Sequence, residues 1–201
     1  MKADTFTPRR GRPRAFDTGE ALDRAMRVFW KYGYEGTSLP DLTKAMGINR
    51  PSLYAAFGNK EQLFRKALDH YVSRAQEGLK AALAEPTARK VVERILRGAI
   101  TPECSHKLKG CLLVQGALTC GEDAAPIRDE LAARRRATEM ILRDRFERAA
   151  AEGNLSKDTE PAALAKFVVT FLHGLAVQSA GGAGEDELRG AVEIAIRALP
   201  Q

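Results

Sequence analysis

Between Ser38 and Phe57 the chain specifies two short helices separated by only three residues, and that spacing constrains the fold more than any other feature. Ser38 is placed to cap the first helix, with Asp41 three residues on and Pro40 tolerated in the opening turn. Gly47 stops it, Ile48 and Asn49 make the turn, and Asn49 is placed to cap a second helix over residues 50–57. Two short helices joined by a tight glycine turn are the arithmetic of a helix-turn-helix, whose second helix enters the major groove of DNA.

The side chains fit that geometry. The second helix opens with Arg50 and Ser52 beside Pro51, which lacks the N–H that would go unpaired there. Arg50 and Ser52 can approach base edges while the positive end of the helix dipole faces phosphate. Tyr54 carries a phenol for a phosphate oxygen, and Ala55 offers van der Waals contact to a thymine methyl. Thr37 and Ser38 offer hydroxyls and amides at the preceding helix start, and Lys60 brings an ammonium to the start of the next one. Leu42, Ala45, Ile48, Leu53 and Phe57 have the chemistry of a miniature core behind this surface.

The rest of the chain reads at the helical period, with no alternating strand pattern. Asp17 and Glu20 open a helix as a capping-box pair, Ala21, Leu22, Ala25, Met26 and Phe29 share its face, and Gly33 is expected as a left-handed cap. Asn59 and Gln62 open a longer helix running towards Ala84, and Pro86 separates it from the next helical segment. Further helices are expected over 87–100, 110–119, 123–151, 161–179 and 185–199. Along 123–151, Glu130/Arg134, Glu139/Arg143 and Asp144/Arg148 lie at i,i+4 as a solvated face would, opposite Ile127, Leu131, Leu142, Phe146 and Ala149. The expected fold is all-α: a basic arm over 1–16, a three-helix DNA-binding unit with the helix-turn-helix over 17–68, and a larger helical unit for ligand sensing and dimerisation over 69–201.

Charge points the same way. Lys and Arg number 32 against 26 Asp and Glu, giving a net charge of +6, which favours an anionic partner without naming it. The arm concentrates that charge in Arg9, Arg10, Arg12 and Arg14, spaced by Gly11 and Pro13. It resembles the Arg-Gly-Arg-Pro motif by which thin, extended arms enter narrow A·T-rich minor grooves. No apolar run accompanies these cations, so a secretory signal is not expected. Three cysteines, Cys104, Cys111 and Cys120, are an odd and sparse set that fits reduced thiols and a cytoplasmic location.

The run over 161–179 is apolar nearly all round, which requires burial on both sides. One side is expected to face its own core and the other a second copy, with Gly174 and Ala176 allowing close approach. Leu164, Phe167, Val168, Phe171 and Leu175, with Leu188, Val192 and Ile196 from the final helix, form the expected dimer interface. Lys166, His173 and Gln178 interrupt the run and favour a buried helix over a membrane span. Between reader and interface, Tyr71, Ile95, Ile100, Cys104, Cys111, Leu112, Leu118, Met140 and Phe146 are candidates to line a cavity among helices. Cys111, beside Gly110 and near Lys107 and Lys109, is either an oxidant- or electrophile-sensing thiol or a small buried hydrophobe.

The run Phe29-Trp30-Lys31-Tyr32-Gly33-Tyr34-Glu35-Gly36-Thr37-Ser38, then Ala45-Met46-Gly47-Ile48, then Ser52-Leu53-Tyr54-Ala55-Ala56-Phe57-Gly58-Asn59-Lys60-Glu61 resembles the N-terminal domain of TetR/AcrR-family transcriptional regulators. The resemblance covers roughly residues 18–68. It implies that Thr37, Arg50, Ser52, Tyr54 and Lys60 occupy DNA-contacting positions, and that a homodimer reads a pseudo-palindrome in double-stranded DNA. It further implies a small-molecule effector in the C-terminal region that alters the distance between the two reading heads, with repression as the default outcome. The family pattern most often carries a bulkier aromatic or His where this chain has Ala55 and Ala56, which moves base reading towards Arg50. An enzyme is the main rival class. His70, His106 and His173 lack partners at metal-ligand spacing, and no phosphate-cradling loop, nucleophile elbow or paired carboxylates stand out. Neither metal nor cofactor is expected. A Cys111/His106 hydrolase and an architectural DNA binder without a sensing pocket are the remaining alternatives.

Overall fold

Short polar caps, glycines and prolines cut the chain into nine helices among the residues that the computed structural model describes, 16–100, 110–118 and 124–199, with the backbone alone for 116–118. They are α1 (Thr18–Tyr32), α2 (Leu39–Met46), α3 (Arg50–Phe57), α4 (Lys60–Leu83), α5 (Ala88–Gly98), α6 (Leu112–Leu118), α7 (Ala125–Ala151), α8 (Pro161–Ala180) and α9 (Glu185–Arg197). The caps act locally. Asp17 accepts from the Glu20 amide at 2.8 Å, Asn49 from Ser52 at 2.9 Å and Asn59 from Gln62 at 2.8 Å. Each satisfies a helix-end donor that would otherwise be orphaned, a contribution of about 1 kcal/mol. Gly47 takes the left-handed conformation, with φ 70° and ψ 29°. Gly33, expected to do the same, has a positive φ of 71° with an extended ψ of 179°, and so leads the chain away from α1 instead of tightening its last turn.

Two apolar cores result. The first gathers Ala25 and Phe29 of α1, Leu42 and Met46 of α2, Leu53 and Phe57 of α3, and Leu63, Phe64 and Leu68 of α4. Phe29 and Phe64 meet edge to face with ring centroids 4.9 Å apart, a geometry that adds to plain area burial. This core does not close at residue 68. Leu112 of α6 and Ile127 and Leu131 of α7 are buried in it. The second core joins Val91, Val92 and Leu96 of α5, Leu142 and Phe146 of α7, Leu164 and Val168 of α8, and Val192 and Ile196 of α9. Helix α4, 24 residues long, runs from the first core to the second, where Leu79 and Leu83 pack.

The ion pairs on α7 differ from those expected of a solvated face. Arg134 does pair with Glu130 at 2.7 Å. Glu130 also receives Arg65 of α4 at 2.6 Å, and Arg134 reaches Asp69 of α4 at 2.7 Å. The set is therefore a bridge between helices. Glu139 pairs with Lys166 of α8, and Arg143 with Glu147. Two arginines close helix ends over long sequence distances. Arg145, only 5% exposed, donates from Nε to the Leu83 carbonyl at 3.0 Å and from Nη2 to that of Glu85 at 2.7 Å. Arg89 donates to the carbonyls of Ile196 and Leu199 in the same way.

Helix α8 is long and apolar enough to cross a membrane by length and hydropathy, but here it packs chiefly against α7. Leu164, Val168 and Leu175, with Leu188, Val192 and Ile196 of α9, were expected at a dimer seam; all six are buried in the chain's own core. Phe167 is 40% exposed and Phe171 half-buried, their rings stacked with centroids 6.0 Å apart. Val177 and Ile194 are also exposed, and a Cβ at Gly174 would meet nothing. The face of α8 turned away from that core carries Phe167, Gly174 and Val177, and Ile194 is exposed on α9. Rotation of 100° per residue separates this face from the one turned inward.

Candidate nucleic-acid interface

The geometry of α2 and α3 follows from what they bury. Leu42 and Met46 on one helix and Leu53 and Phe57 on the other are turned into the first core. The turn between them is tied down by the Ile48 amide donating to the Thr43 carbonyl at 3.2 Å. What remains outward on α3 is Arg50, Pro51, Tyr54 and Ala55, all exposed, at the i, i+1, i+4 and i+5 spacing of one helix face. Tyr54 is 48% exposed, high for a large aromatic side chain. Among the described residues, neither the Arg50 guanidinium nor the Tyr54 hydroxyl has a hydrogen-bond or ion-pair partner. Ser52 is half-buried at the same helix start, where its amide is held by Asn49.

The far end of α3 is held as firmly. Lys66 of α4 lies over the Phe57 ring and donates to the Ala56 carbonyl at 3.2 Å, a cation at a helix C-terminus where the dipole favours it. Gly58, with φ 80°, makes the turn into α4, and any Cβ there would collide with the Gln62 carboxamide.

Thr37 and Ser38 are less available than their position suggests. Thr37 is 1% exposed and its hydroxyl donates to the Gly33 carbonyl at 2.6 Å. It fixes the loop before α2. The amide and hydroxyl of Ser38 both donate to the Asp41 carboxylate, and its hydroxyl accepts from the Asp41 amide, so the cap consumes them. Lys60, the first residue of α4, sits with Nζ 4.6 Å from the centre of the Tyr34 ring. Burial lowers the pKa of its ammonium, with Glu35 opposing. Tyr34, which seats Lys60, and Lys66, which holds the end of α3, were not singled out from sequence; the Tyr-Gly-Tyr run was the available signal for the former. Arg10, Arg12 and Arg14 lie outside the described residues.

The effector candidates scatter. Leu112 is in the first core, Ile100 and Phe146 are buried in the second, and Ile95 packs against it. Met140, expected to line a cavity, is instead 63% exposed on α7 because the face carrying Leu142 and Phe146 is the one turned inward. Tyr71 stands edge-on to Trp30 and donates from its hydroxyl to the half-buried Cys111 Sγ at 3.4 Å. Cys104 and the side chain of Leu118 lie outside the described residues.

Comparison with known proteins decides the family. Residues 21–67 match the model of bacterial regulatory proteins of the tetR family, and residues 88–194 match the tetracyclin repressor-like C-terminal domain. The chain belongs to the TetR family. Over 203 residues it is 32% identical to the HTH-type transcriptional repressor ComR of Escherichia coli K12, covering 96% of this chain and 93% of that protein. It is likewise 32% identical over 196 residues to the HTH-type transcriptional regulator YezE of Bacillus subtilis 168, covering 94% and 99%. Among solved structures it is similar to the TetR-family regulator CifR, in a cysteine mutant complexed with 26-bp operator DNA. That likeness has 45% identity and a TM-score of 0.89, and covers 94% of this chain and 100% of the other. The TetR-family chain is thus a DNA-binding transcriptional regulator with an N-terminal reading head and a C-terminal helical domain for dimerisation and effector binding.

Proposed function

We propose that this TetR-family protein is a cytoplasmic repressor, not an enzyme, whose homodimer reads a pseudo-palindromic operator through α3 and releases it when a small effector binds the C-terminal domain. The exposed Arg50–Tyr54 face, unpartnered among the described residues, carries this reading: a helix anchored at both ends aims two hydrogen-bonding groups away from the protein. In the division of labour, Arg50 reads base edges, with Ser52 beside it. Tyr54 donates to phosphate, Ala55 meets a thymine methyl, and Pro51 keeps the first turn narrow. Lys60 clamps phosphate, where an anion would favour the charged form that burial penalises. Arg10, Arg12 and Arg14 extend the footprint into an adjacent minor groove. Thr37 and Ser38 act by holding the start of α2 in place.

Selection of bound fragments from random duplex DNA by the full-length homodimer tests the proposal. The expected outcome is an enriched pair of half-sites related by two-fold symmetry, with α3 centres one helical turn or a multiple apart. Recovered fragments sharing no sequence would instead make the chain an architectural binder. Deleting the residues before Phe16 should weaken binding and flatten its dependence on salt, because fewer counterions are released; an unchanged slope would remove the arm from the interface.

A further inference from the structure

A cleft of about 240 Å³ lies between α7 and α8, lined among others by Arg135, Arg136 and Glu139 from the first helix and Lys166, Thr170 and His173 from the second. Three fixed cations meet one carboxylate there, and that carboxylate, Glu139, is taken up by Lys166 at 2.5 Å. Arg135 is half-buried and in no ion pair among the described residues; its Nη1 donates to the Leu113 carbonyl at 2.5 Å. A guanidinium drawn partly out of water beside other cations is unfavourable unless an anion offsets it.

We propose that this cleft binds a small oxyanion, a carboxylate or phosphate held by Arg135, Arg136 and Lys166 with the Thr170 hydroxyl, and that this anion is the effector of the regulator. The proposal rests on the reading of the chain as effector-responsive. Clefts for drug-sized ligands run to roughly 300–1,000 Å³, so the volume favours a smaller ion. The state of two groups agrees. Burial, and then Arg136, push the Arg135 guanidinium below its ordinary pKa, with Cys111 opposing. Burial first, then Arg135, with Lys166 adding and Glu139 opposing, hold the His173 imidazole low. The charged groups acting on His173 are thus Arg135 and Glu139 from α7 and Lys166 from α8. An anion in the cleft favours the charged form of both residues.

Arg135 also joins the cleft to the reading head. The Leu113 carbonyl it holds belongs to α6, whose Leu112 is buried in the first core. The neighbouring Arg134 ties α7 to Asp69 of α4. A ligand that draws Arg135 towards the cleft therefore acts where α6 and α7 enter that core, and it shifts the head only as far as it prefers one arrangement over the other.

Imidazole NMR of the full-length homodimer tests the site without DNA. Succinate, inorganic phosphate and neutral succinamide are added separately at constant ionic strength, and His173 is assigned by the signal lost in His173→Gln. Succinate, phosphate or both should raise the His173 titration midpoint, by up to about one unit if binding to the imidazolium is about tenfold tighter; which of them acts identifies the oxyanion. Arg135→Gln with Lys166→Gln should abolish the response and leave the His70 titration unchanged. The site is refuted if neither anion moves His173, if succinamide moves it equally, or if the response survives the double substitution. Operator binding of the wild type is measured without and with the anion that moves His173. Weaker binding with the anion is expected, and binding unmoved by it would refute the effector role. No binding by the anion-free protein would instead overturn the regulatory reading.

Discussion

Gly47 and Gly58 show how much of the reading head depends on single backbone positions. Both have positive φ, near 70° and 80°, but the neighbour nearest a Cβ at Gly47 is the flexible Arg24 guanidinium at 3.6 Å, whereas Gly58 faces the Gln62 carboxamide that closes the α4 cap. Gly47→Ala should therefore cost about 1 kcal/mol from backbone strain alone. Gly58→Ala should cost more, on the order of 2–3 kcal/mol, because the cap must open as well. Urea titration reads both as lower midpoints at unchanged slope, and equal losses would contradict the role given to Gln62. Lys60→Ala should weaken binding alike for all operator sequences and lower the salt slope by about one. The caps at Ser38, Asn49 and Asn59 were legible in the sequence because each bond spans three residues. The burial of Thr37 was not legible, because its hydroxyl looks back to the carbonyl of Gly33, the residue that caps α1, whose position depends on how that glycine bends.

At the scale of elements, α7 does the work that a division into two units conceals. Its N-terminal part gives Ile127 and Leu131 to the head core and Glu130 to a bridge with Arg65 and Arg134, while its C-terminal part gives Leu142, Phe146 and Ala149 to the second core. The apolar pattern of α7 was legible, but not that its two ends serve different cores, since both read as one stripe. The arginine caps were invisible for another reason: Arg145 and the carbonyls it closes are about sixty residues apart. Burial alone would raise the Glu130 pKa, but its bonds to Arg134 and Arg65 outweigh that and hold it below the ordinary 4.5. A carboxyl whose pKa is lower folded than unfolded contributes stability that is complete above the unfolded value and is lost as pH falls through the folded one. Glu130→Gln should thus destabilise the neutral-pH protein by roughly 1 kcal/mol, with the deficit shrinking below about pH 4.5. Thermal melts from pH 7 to pH 3.5 would show it; a deficit constant with pH would assign the loss to packing.

For the whole molecule, the apolar run of α8 reads from sequence as a core helix, but not which side faces inward, because apolar residues flank its Lys166, Thr170 and His173 stripe on both sides. Packing against α7 and α9 decides it and leaves Phe167, Gly174 and Val177, with Ile194 on α9, exposed; we propose these as the seat of the second copy. Phe167→Asp with Ile194→Asp should give a folded monomer in sedimentation velocity. Operator affinity should fall about a hundredfold or more, since the second half-site no longer binds intramolecularly. A dimer that survives both changes would place the interface elsewhere. The central claim, that α3 reads bases through Arg50, is tested most directly by titrating wild type and Arg50→Ala against the selected operator and its single-base-pair variants at fixed salt. A loss of about 1–3 kcal/mol on the operator, with discrimination relaxed at one base pair of each half-site, is the predicted result. An equal loss on every sequence, with discrimination intact, would make Arg50 a phosphate clamp and contradict the account.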